Sequence, residues 1–374
     1  MTLFDVRLPS TDDPRRDEIR RWIADHPRPS GRELLEAGYM VPHWPAPYGL
    51  NADPTFTFII DQELEEAGID RPPYPIAREY AGPLILMAGT DAQRERYLRS
   101  MLAGEEYWCQ LFSEPEAGSD LASIRTRAVR KGDVYILNGE KIWSSQAHLS
   151  AHGLLLARTD PDAQKHKGIS YFICNMDLPG VTTTPVLSMD GEHRWNNTYF
   201  DNVELPVENL IGEENEGWEL ARMTLANERM AQSSTRGLAW GWGPTFDDLL
   251  RLARMRGGLK EQPERRQRLA QGYVEAEILH VLRMRALSRI QHADSDDFAP
   301  EVRRALADKH GQDMLELFRD IHEETGIVER PVEPEGYDST WTDWYYYARA
   351  LDLGGGTSEI QRNVIAQRVL GLPR

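Results

Sequence analysis

Cysteine is nearly absent: the 374 residues contain only Cys109 and Cys174. A single pair cannot build a disulfide framework. Both sit in apolar, strand-like runs, which marks them as buried thiols of a reducing, cytoplasmic setting. No apolar run approaches the roughly 20 residues that a membrane-spanning helix requires. The first 13 residues carry no basic segment followed by an apolar one, so no secretory leader is expected. Positive charge is also short, with 43 Lys and Arg against 60 Asp and Glu for a net charge of −17. That sign repels nucleic-acid phosphates and argues against them as partners. Metal and dinucleotide signatures are missing too. His322 and Glu323 open an H-E pair that no second histidine completes at helical spacing, which excludes a zinc protease of that kind. Gly354–Gly356 is not G-x-G-x-x-G, and the tyrosine-rich run before it does not resemble a strand entering a dinucleotide fold.

A chain of this length is long enough for a large core and for two or three domains. Hydrophobic residues at 40% and charged residues at 28% are ordinary for a soluble globular protein. Up to residue 104 the pattern is helical. Asp13 before Pro14 suits an N-cap, and Ile19, Trp22 and Ile23 recur at helical spacing. Arg32–Ala37 and Phe56–Ala67 read as helices stopped by Gly38 and Gly68, and Pro83–Leu102 gives one or two more. Between them Val41–Leu50, dense in proline and aromatics, reads as an ordered loop. After Glu105 short β-branched or aromatic runs take over: Val134–Ser145, Leu154–Arg158, Ile169–Asn175, Val181–Leu187 and Asn197–Leu205. From Trp218 the period is helical again. A long helix begins after Pro263 with Val274, Ile278, Val281 and Leu282 on one face, and Val302–Ile321 forms another. Breaks are expected at Asp294–Pro300 and Glu329–Glu335, and the Trp341–Tyr347 aromatics read as core or subunit contact. The expected fold is α+β and multi-domain. It has an N-terminal α-helical domain (1–104), a small central β-barrel or sandwich (105–216) and a C-terminal α-helical bundle (217–374).

The stretch from Trp108 to Gln146 concentrates the chemistry. It opens W-C-Q-L-F-S-E-P-E-A-G-S-D, an apolar run ending in a proline-bounded turn, where Gly118, Ser119 and Asp120 offer small side chains and backbone donors. It closes N-G-E-K-I-W-S-S-Q, with Trp143 beside Ser144 and Ser145. An aromatic slab next to hydroxyls suits a flat, hydrogen-bonding ring system, whereas a β-hairpin with a core tryptophan explains the same residues without a ligand. The segment Q-L-F-S-E-P-E-A-G-S-D with K-I-W-S-S downstream resembles the flavin-binding signature of the acyl-CoA dehydrogenase family. The terminal G-G-G-T-S-E-I-Q-R-N-V-I-A-Q-R-V-L-G-L-P-R is similar to that family's closing helix. The resemblance covers nearly the whole chain.

The resemblance implies FAD as cofactor, an acyl-CoA as substrate and an electron-transfer flavoprotein as electron acceptor. It places Gln110, Phe112, Ser113, Gly118 and Ser119 along the flavin ring and the neck of the acyl pocket, Ser119 also touching substrate. Trp143 would cover the ring and Ser145 would lie near N5. Thr357 and Glu359 would serve the phosphate and adenosine end. The reaction needs a carboxylate to remove the weakly acidic α proton. Most members carry that glutamate immediately before the G-T of the closing motif, where this chain has Gly355. The family's second location, on the first helix of the C-terminal domain, aligns with Glu228, followed by Arg229 as a substrate contact. The alternative for Glu228 and Arg229 is the solvated face of a charged helix. Glu116 stands where the motif often has glycine, and Ala226 replaces an aspartate that often meets the pantetheine arm. An R-x-x-F-G and a G-G-x-G that usually hold a neighbouring subunit's adenosine are both missing. Members with this pattern can pair with a different subunit, so a homo- or hetero-tetramer is expected. A non-catalytic partner subunit is the rival reading, and an oxygen-reactive relative is a weaker one. The empty place at Gly355 leans toward a bulky, branched or ring-bearing acyl group.

Overall fold

The computed structural model describes residues 9–72, 76–189, 191–234, 238, 243–255, 257–291, 299–322 and 340–373. The chain divides into two compact units, one of Arg7–Leu187 with His193–Asn227, the other of Glu228–Arg374 with Ser188–Glu192.

The first unit opens with helices α1 (Arg15–Asp25), α2 (Gly31–Glu36), α3 (Pro54–Glu66), α4 (Gly82–Ala88) and α5 (Asp91–Leu102), with a π turn over Ile76–Ala81. Ser30, Asp53 and Thr90 cap α2, α3 and α5 by accepting the N3 amide, each worth about 1 kcal/mol. Asp13 does not cap α1. Pro14 occupies the cap position, and Asp13 accepts from the Arg15 amide at 3.0 Å instead. Gly38 and Gly68 stop α2 and α3 with φ of 75° and 68°, a left-handed conformation that a Cβ opposes. Ile19, Leu34, Ile59, Ile60, Leu84 and Leu98 form the helical core. Among them the buried Glu63 is satisfied by Arg16 at 2.6 Å and Arg20 at 2.7 Å. Val41–Leu50 is the ordered loop its composition implies, tied by Trp44 N–H to the Val41 carbonyl (2.9 Å) and Leu50 N–H to the Pro42 carbonyl (3.0 Å).

The same unit holds a sheet of eight strands: β1 (Trp108–Leu111), β2 (Arg127–Lys131), β3 (Val134–Lys141), β4 (His152–Arg158), β5 (Ile169–Asn175), β6 (Val181–Leu187), β7 (His193–Pro206) and β8 (Leu210–Ile211). Their order is β6-β7-β3-β2-β4-β5-β8, with β1 running parallel to β4. β5 and β6 have the expected bounds. β3 ends at Lys141 rather than Ser145, because Trp143 and Gln146 take positive φ (61° and 54°) and leave the ladder. β2 escapes the pattern because only Ala128 of its five residues is buried. Cys109 and Cys174 lie in the sheet core with Tyr135, Leu137, Phe172 and Leu205. Burial pushes the Cys109 thiol up to about 12 and raises Cys174 further. Neither cysteine should therefore react with a maleimide at neutral pH until the chain is unfolded. Labelling of the native protein, read by mass spectrometry, checks this.

In the second unit, α6 (Gly217–Ser234) crosses the boundary, followed by α7 (Phe246–Met255), α8 (Pro263–Gln291), α9 (Ala299–His322), α10 (Thr340–Tyr347) and α11 (Ser358–Val364). Their core joins Leu249, Leu252, Leu315, Phe318 and Leu351, with Trp344, Tyr345 and Tyr347 of α10 packed against it. The long helix is present, but Val274, Ile278 and Val281 are 50%, 45% and 41% exposed. Leu269 and Ala276 meet the core instead, and Gly272 admits Met314 where a Cβ would come within 2.3 Å of its sulfur. The Asp294–Pro300 break falls mostly, and the Glu329–Glu335 loop entirely, outside the described residues. Among the described residues no helix is long and apolar enough to cross a membrane.

Candidate active site

The candidate residues fall into two groups, one in each unit. In the first unit β1 delivers Gln110, half-buried, and passes into Phe112, which is buried edge-on against Tyr171 at 5.6 Å. The chain then turns sharply. Glu114 N–H donates to the Ala117 carbonyl (3.1 Å), and Ala117 N–H returns the bond at 3.0 Å.

Glu114, which the sequence did not single out, holds this turn. Its buried carboxylate accepts from the Arg125 amide (2.6 Å), the Thr126 amide (2.9 Å) and Lys141 Nζ (2.8 Å). Lys141 is fully buried and also donates to the Phe112 carbonyl at 3.0 Å. Burial raises the Glu114 carboxyl, but the Lys141 charge and the donated hydrogens outweigh it and hold the group below its usual range. For Lys141 burial dominates and draws the ammonium down to about 8. One buried ion pair thus joins the turn to the end of β3. The available signal was a lysine at an inward position of an alternating strand, where a charge requires a partner.

Beyond the turn Gly118, Ser119 and Asp120 are exposed, and a Cβ at Gly118 would meet nothing within 4 Å. Ser123 (2.6 Å) and Lys165 donate to Asp120. Glu116 points to solvent and pairs with Arg125 at 3.0 Å. Ile142 N–H donates to the Ser113 carbonyl at 2.9 Å, so the turn and the segment after β3 run side by side. Trp143 follows, 55% exposed and edge-on to Trp195 at 6.1 Å and 87°. It is no core tryptophan. An aromatic residue at positive φ costs about 1–2 kcal/mol and persists only where its surroundings fix it. Ser145 is half-buried, and the buried Ser144 Oγ has no hydrogen-bond partner among the described residues. The first unit therefore carries an exposed aromatic slab after β3 and, on the turn running beside that segment, an open glycine and an exposed hydroxyl, residue types that fit a flat ring with polar edges.

In the second group Glu228 decides most. Among the described side chains of α6 the buried positions are Gly217, Ala221, Thr224 and Glu228, at steps of four, three and four, while Glu219, Arg222 and Ala226 are exposed. Glu228 is 8% exposed, so it continues the buried stripe and not the solvated face. The side chain of Arg229 lies outside the described residues. Gly355 and Gly356 have φ of 65° and 99°. Their loop is held from α9 by Arg304, which donates to the Gly354 carbonyl at 2.7 Å and is itself paired with Asp308 at 2.8 Å. Gln361 Nε2 donates to the Gly355 carbonyl at 3.3 Å. Thr357 caps α11 by accepting from Ile360 N–H at 3.3 Å, while Glu359 is exposed and reaches Arg362 at 3.9 Å. Gly355→Ala should lower stability by about 1–2 kcal/mol through the left-handed backbone alone, measurable as a fall in the urea midpoint.

Models of the N-terminal, middle and C-terminal domains of acyl-CoA dehydrogenases match residues 11–105, 109–203 and 215–370 in turn. The acyl-CoA dehydrogenase IpdE1 of Mycobacterium tuberculosis is 34% identical over 96% of this chain and 89% of its own length. The chain belongs to the acyl-CoA dehydrogenase family. The family is one of flavoprotein oxidoreductases, and its order of helical, β and helical domains is the one seen here. FadE34, an acyl-CoA dehydrogenase of the same organism, is 39% identical over 91% of this chain, which spans 46% of FadE34's length. Among solved structures, the Tcur3481-Tcur3483 steroid acyl-CoA dehydrogenase superposes with a TM-score of 0.81 at 29% identity, covering 99% of this chain and 100% of that one. The ChsE4-ChsE5 complex of M. tuberculosis gives 0.77 at 27%, covering 98% and 99%.

Proposed function

We propose that this chain catalyses FAD-dependent α,β-dehydrogenation of an acyl-CoA thioester to the enoyl-CoA, with Glu228 as the base. The observation that carries it is the burial of Glu228 on the inward stripe of α6 in a chain whose usual base position is Gly355. FAD, when bound, supplies the acceptor for the β-hydride at N5. The residues do the rest. Glu228 takes the α proton onto a carboxylate oxygen and is left as the neutral acid. Trp143 covers the ring, and Ser145 lies near its edge. Gln110, Phe112, Ser113, Gly118 and Ser119 line the ring and the neck of the acyl pocket, with Ser119 and Arg229 contacting substrate. Thr357 and Glu359 serve the phosphate and adenosine end. The open strip around Gly118 and the exposed Trp143 support this assignment.

The domain division goes with it as 1–104, 105–216 and 217–374, in a reducing, cytoplasmic setting. The acyl group is bulky, branched or ring-bearing, with a ring favoured: Gly355 carries no side chain, and a similar structure is named a steroid acyl-CoA dehydrogenase. Electrons leave to an electron-transfer flavoprotein. The chain assembles as a hetero-tetramer, since it lacks the R-x-x-F-G and G-G-x-G segments and two similar structures are named as pairs of chains. The same absences favour a second reading, a non-catalytic subunit that supports a partner's flavin. Purification separates the two. Yellow protein that bleaches with a ring-bearing acyl-CoA supports the enzyme, and an inert chain supports the subunit.

A further inference from the structure

The strap from Trp143 to Gln146 starts and ends in left-handed backbone, with φ of 61° and 54°. Such conformations need to be held, and β7 holds this one. Ser144 N–H donates to the Asn196 carbonyl (3.0 Å), Asn196 N–H to the Ser144 carbonyl (3.1 Å) and Gln146 N–H to the Arg194 carbonyl (2.9 Å). The Asn196 side chain is fully buried and adds three contacts. Nδ2 lies 3.1 Å from the Ser144 carbonyl and 3.1 Å from His148 Nδ1, and Oδ1 lies 2.7 Å from His193 Nε2.

The orientation of this amide follows from chemistry. A carbonyl only accepts, so the Asn196 atom facing Ser144 is the NH₂, and a flip would set two oxygens against each other. The same NH₂ donates to His148 Nδ1, which therefore carries no proton, while His193 donates through Nε2. The two rings stack with centroids 3.8 Å apart and planes 16° from parallel, an arrangement that disfavours two positive charges. Partial desolvation and the facing His193 hold the exposed His148 below the usual histidine range. Of the strands packed against the 147–149 turn, β6 offers no titratable side chain, β1 only the buried Cys109, and β7 carries His193, Arg194, Tyr199, Asp201 and Glu204, of which His193 stacks on His148.

We propose that Asn196 is the positioning residue for Trp143, locking the strap through its amide, and that a neutral His148 is required to keep that amide in place. A proton on His148 Nδ1 would confront the Asn196 NH₂ and break its bond to the Ser144 carbonyl, leaving that oxygen only the Asn196 backbone N–H. The strap is then intact above the ordinary histidine value of about 6.5 and loosens as pH falls through the lowered value of His148. The functional consequence rests on the reading that Trp143 covers the flavin.

Two readouts on the full chain test this. The edge-on Trp143–Trp195 pair gives an exciton couplet in circular dichroism, assigned by its loss in Trp143→Phe. It should fade on acidification in the wild type and be absent at every pH in Asn196→Ala. In His148→Gln, whose amide oxygen accepts the same bond without titrating, it should persist with no acid step. If Asn196→Ala does not fold, the near-isosteric Asn196→Asp serves: it sets a carboxylate oxygen against the Ser144 carbonyl and should lose the couplet at neutral pH. FAD retention, read by visible absorbance after gel filtration, should weaken about five- to tenfold in the Asn196 variants, the scale of one hydrogen bond. A couplet that survives in the Asn196 variants, or an acid step that survives in His148→Gln, overturns the inference. A couplet that behaves as expected in a chain that never holds FAD upholds the strap mechanism and removes the flavin reading instead.

Discussion

Glu228→Gln is expected to lower kcat for acyl-CoA dehydrogenation by a factor of about 10² to 10⁴ while FAD stays bound. That range is the usual contribution of a positioned general base. The substitution keeps size and polarity, so the buried position on α6 remains filled. What it removes is the capacity to accept a proton from carbon. The α proton of a thioester is too weakly acidic for water to take within turnover, and a glutamine at this position offers no base in its place. Gly355→Glu does not restore the loss by simple transfer. The left-handed φ of 65° aims a Cβ differently from a right-handed backbone, and the loop carbonyls are engaged by Arg304 and Gln361. If the chain were a non-catalytic subunit, Glu228→Gln would leave the activity of the assembled complex unchanged.

The second large effect concerns stability. Lys141→Met is expected to cost about 3–5 kcal/mol, because it leaves the buried Glu114 carboxylate without its counter-charge. The loss reaches function because Lys141 also holds the Phe112 carbonyl, and the turn it anchors carries Gly118 and Ser119. FAD binding should fall together with the urea midpoint. The double variant Glu114→Gln/Lys141→Met should recover a substantial part of the stability, since it buries no unpaired charge. The pH dependence has a definite sign. Glu114 is held below its usual value in the fold, so its contribution is present above about 4.3 and lost as pH falls through the folded value. The deficit of Lys141→Met should be largest near neutral pH and shrink on acidification, because a protonated Glu114 leaves no buried charge unpaired.

Much of this was legible in the sequence, for reasons that particular residues make plain. β5 and β6 were readable because runs rich in β-branched or aromatic residues between glycine and polar turns admit few alternatives. The helices α2 and α3 were readable from the glycines that stop them. β2 was not, because R-A-V-R-K buries one side chain and its pairing with β3 is decided by the neighbouring strand. The exposed face of α8 illustrates the same limit. Periodicity located an apolar stripe, while the contact of Gly272 with Met314 turned a different side toward the core. At the candidate site Trp143 and Glu228 stood out by their motif context. Glu114, Lys141 and Asn196 did not. Their roles come from buried partners 27 and 52 residues away in sequence, and spacing along the chain says nothing about such pairs.

The central claim, that one carboxylate on α6 removes the substrate's α proton, is tested most directly by anaerobic mixing of FAD-loaded enzyme, with any partner chain that co-purifies, against a panel of ring-bearing acyl-CoA thioesters. The flavin's visible band should bleach in the wild type and stay essentially unchanged over the same interval in Glu228→Gln with equal FAD content. Bleaching of Glu228→Gln at the wild-type rate would contradict the account.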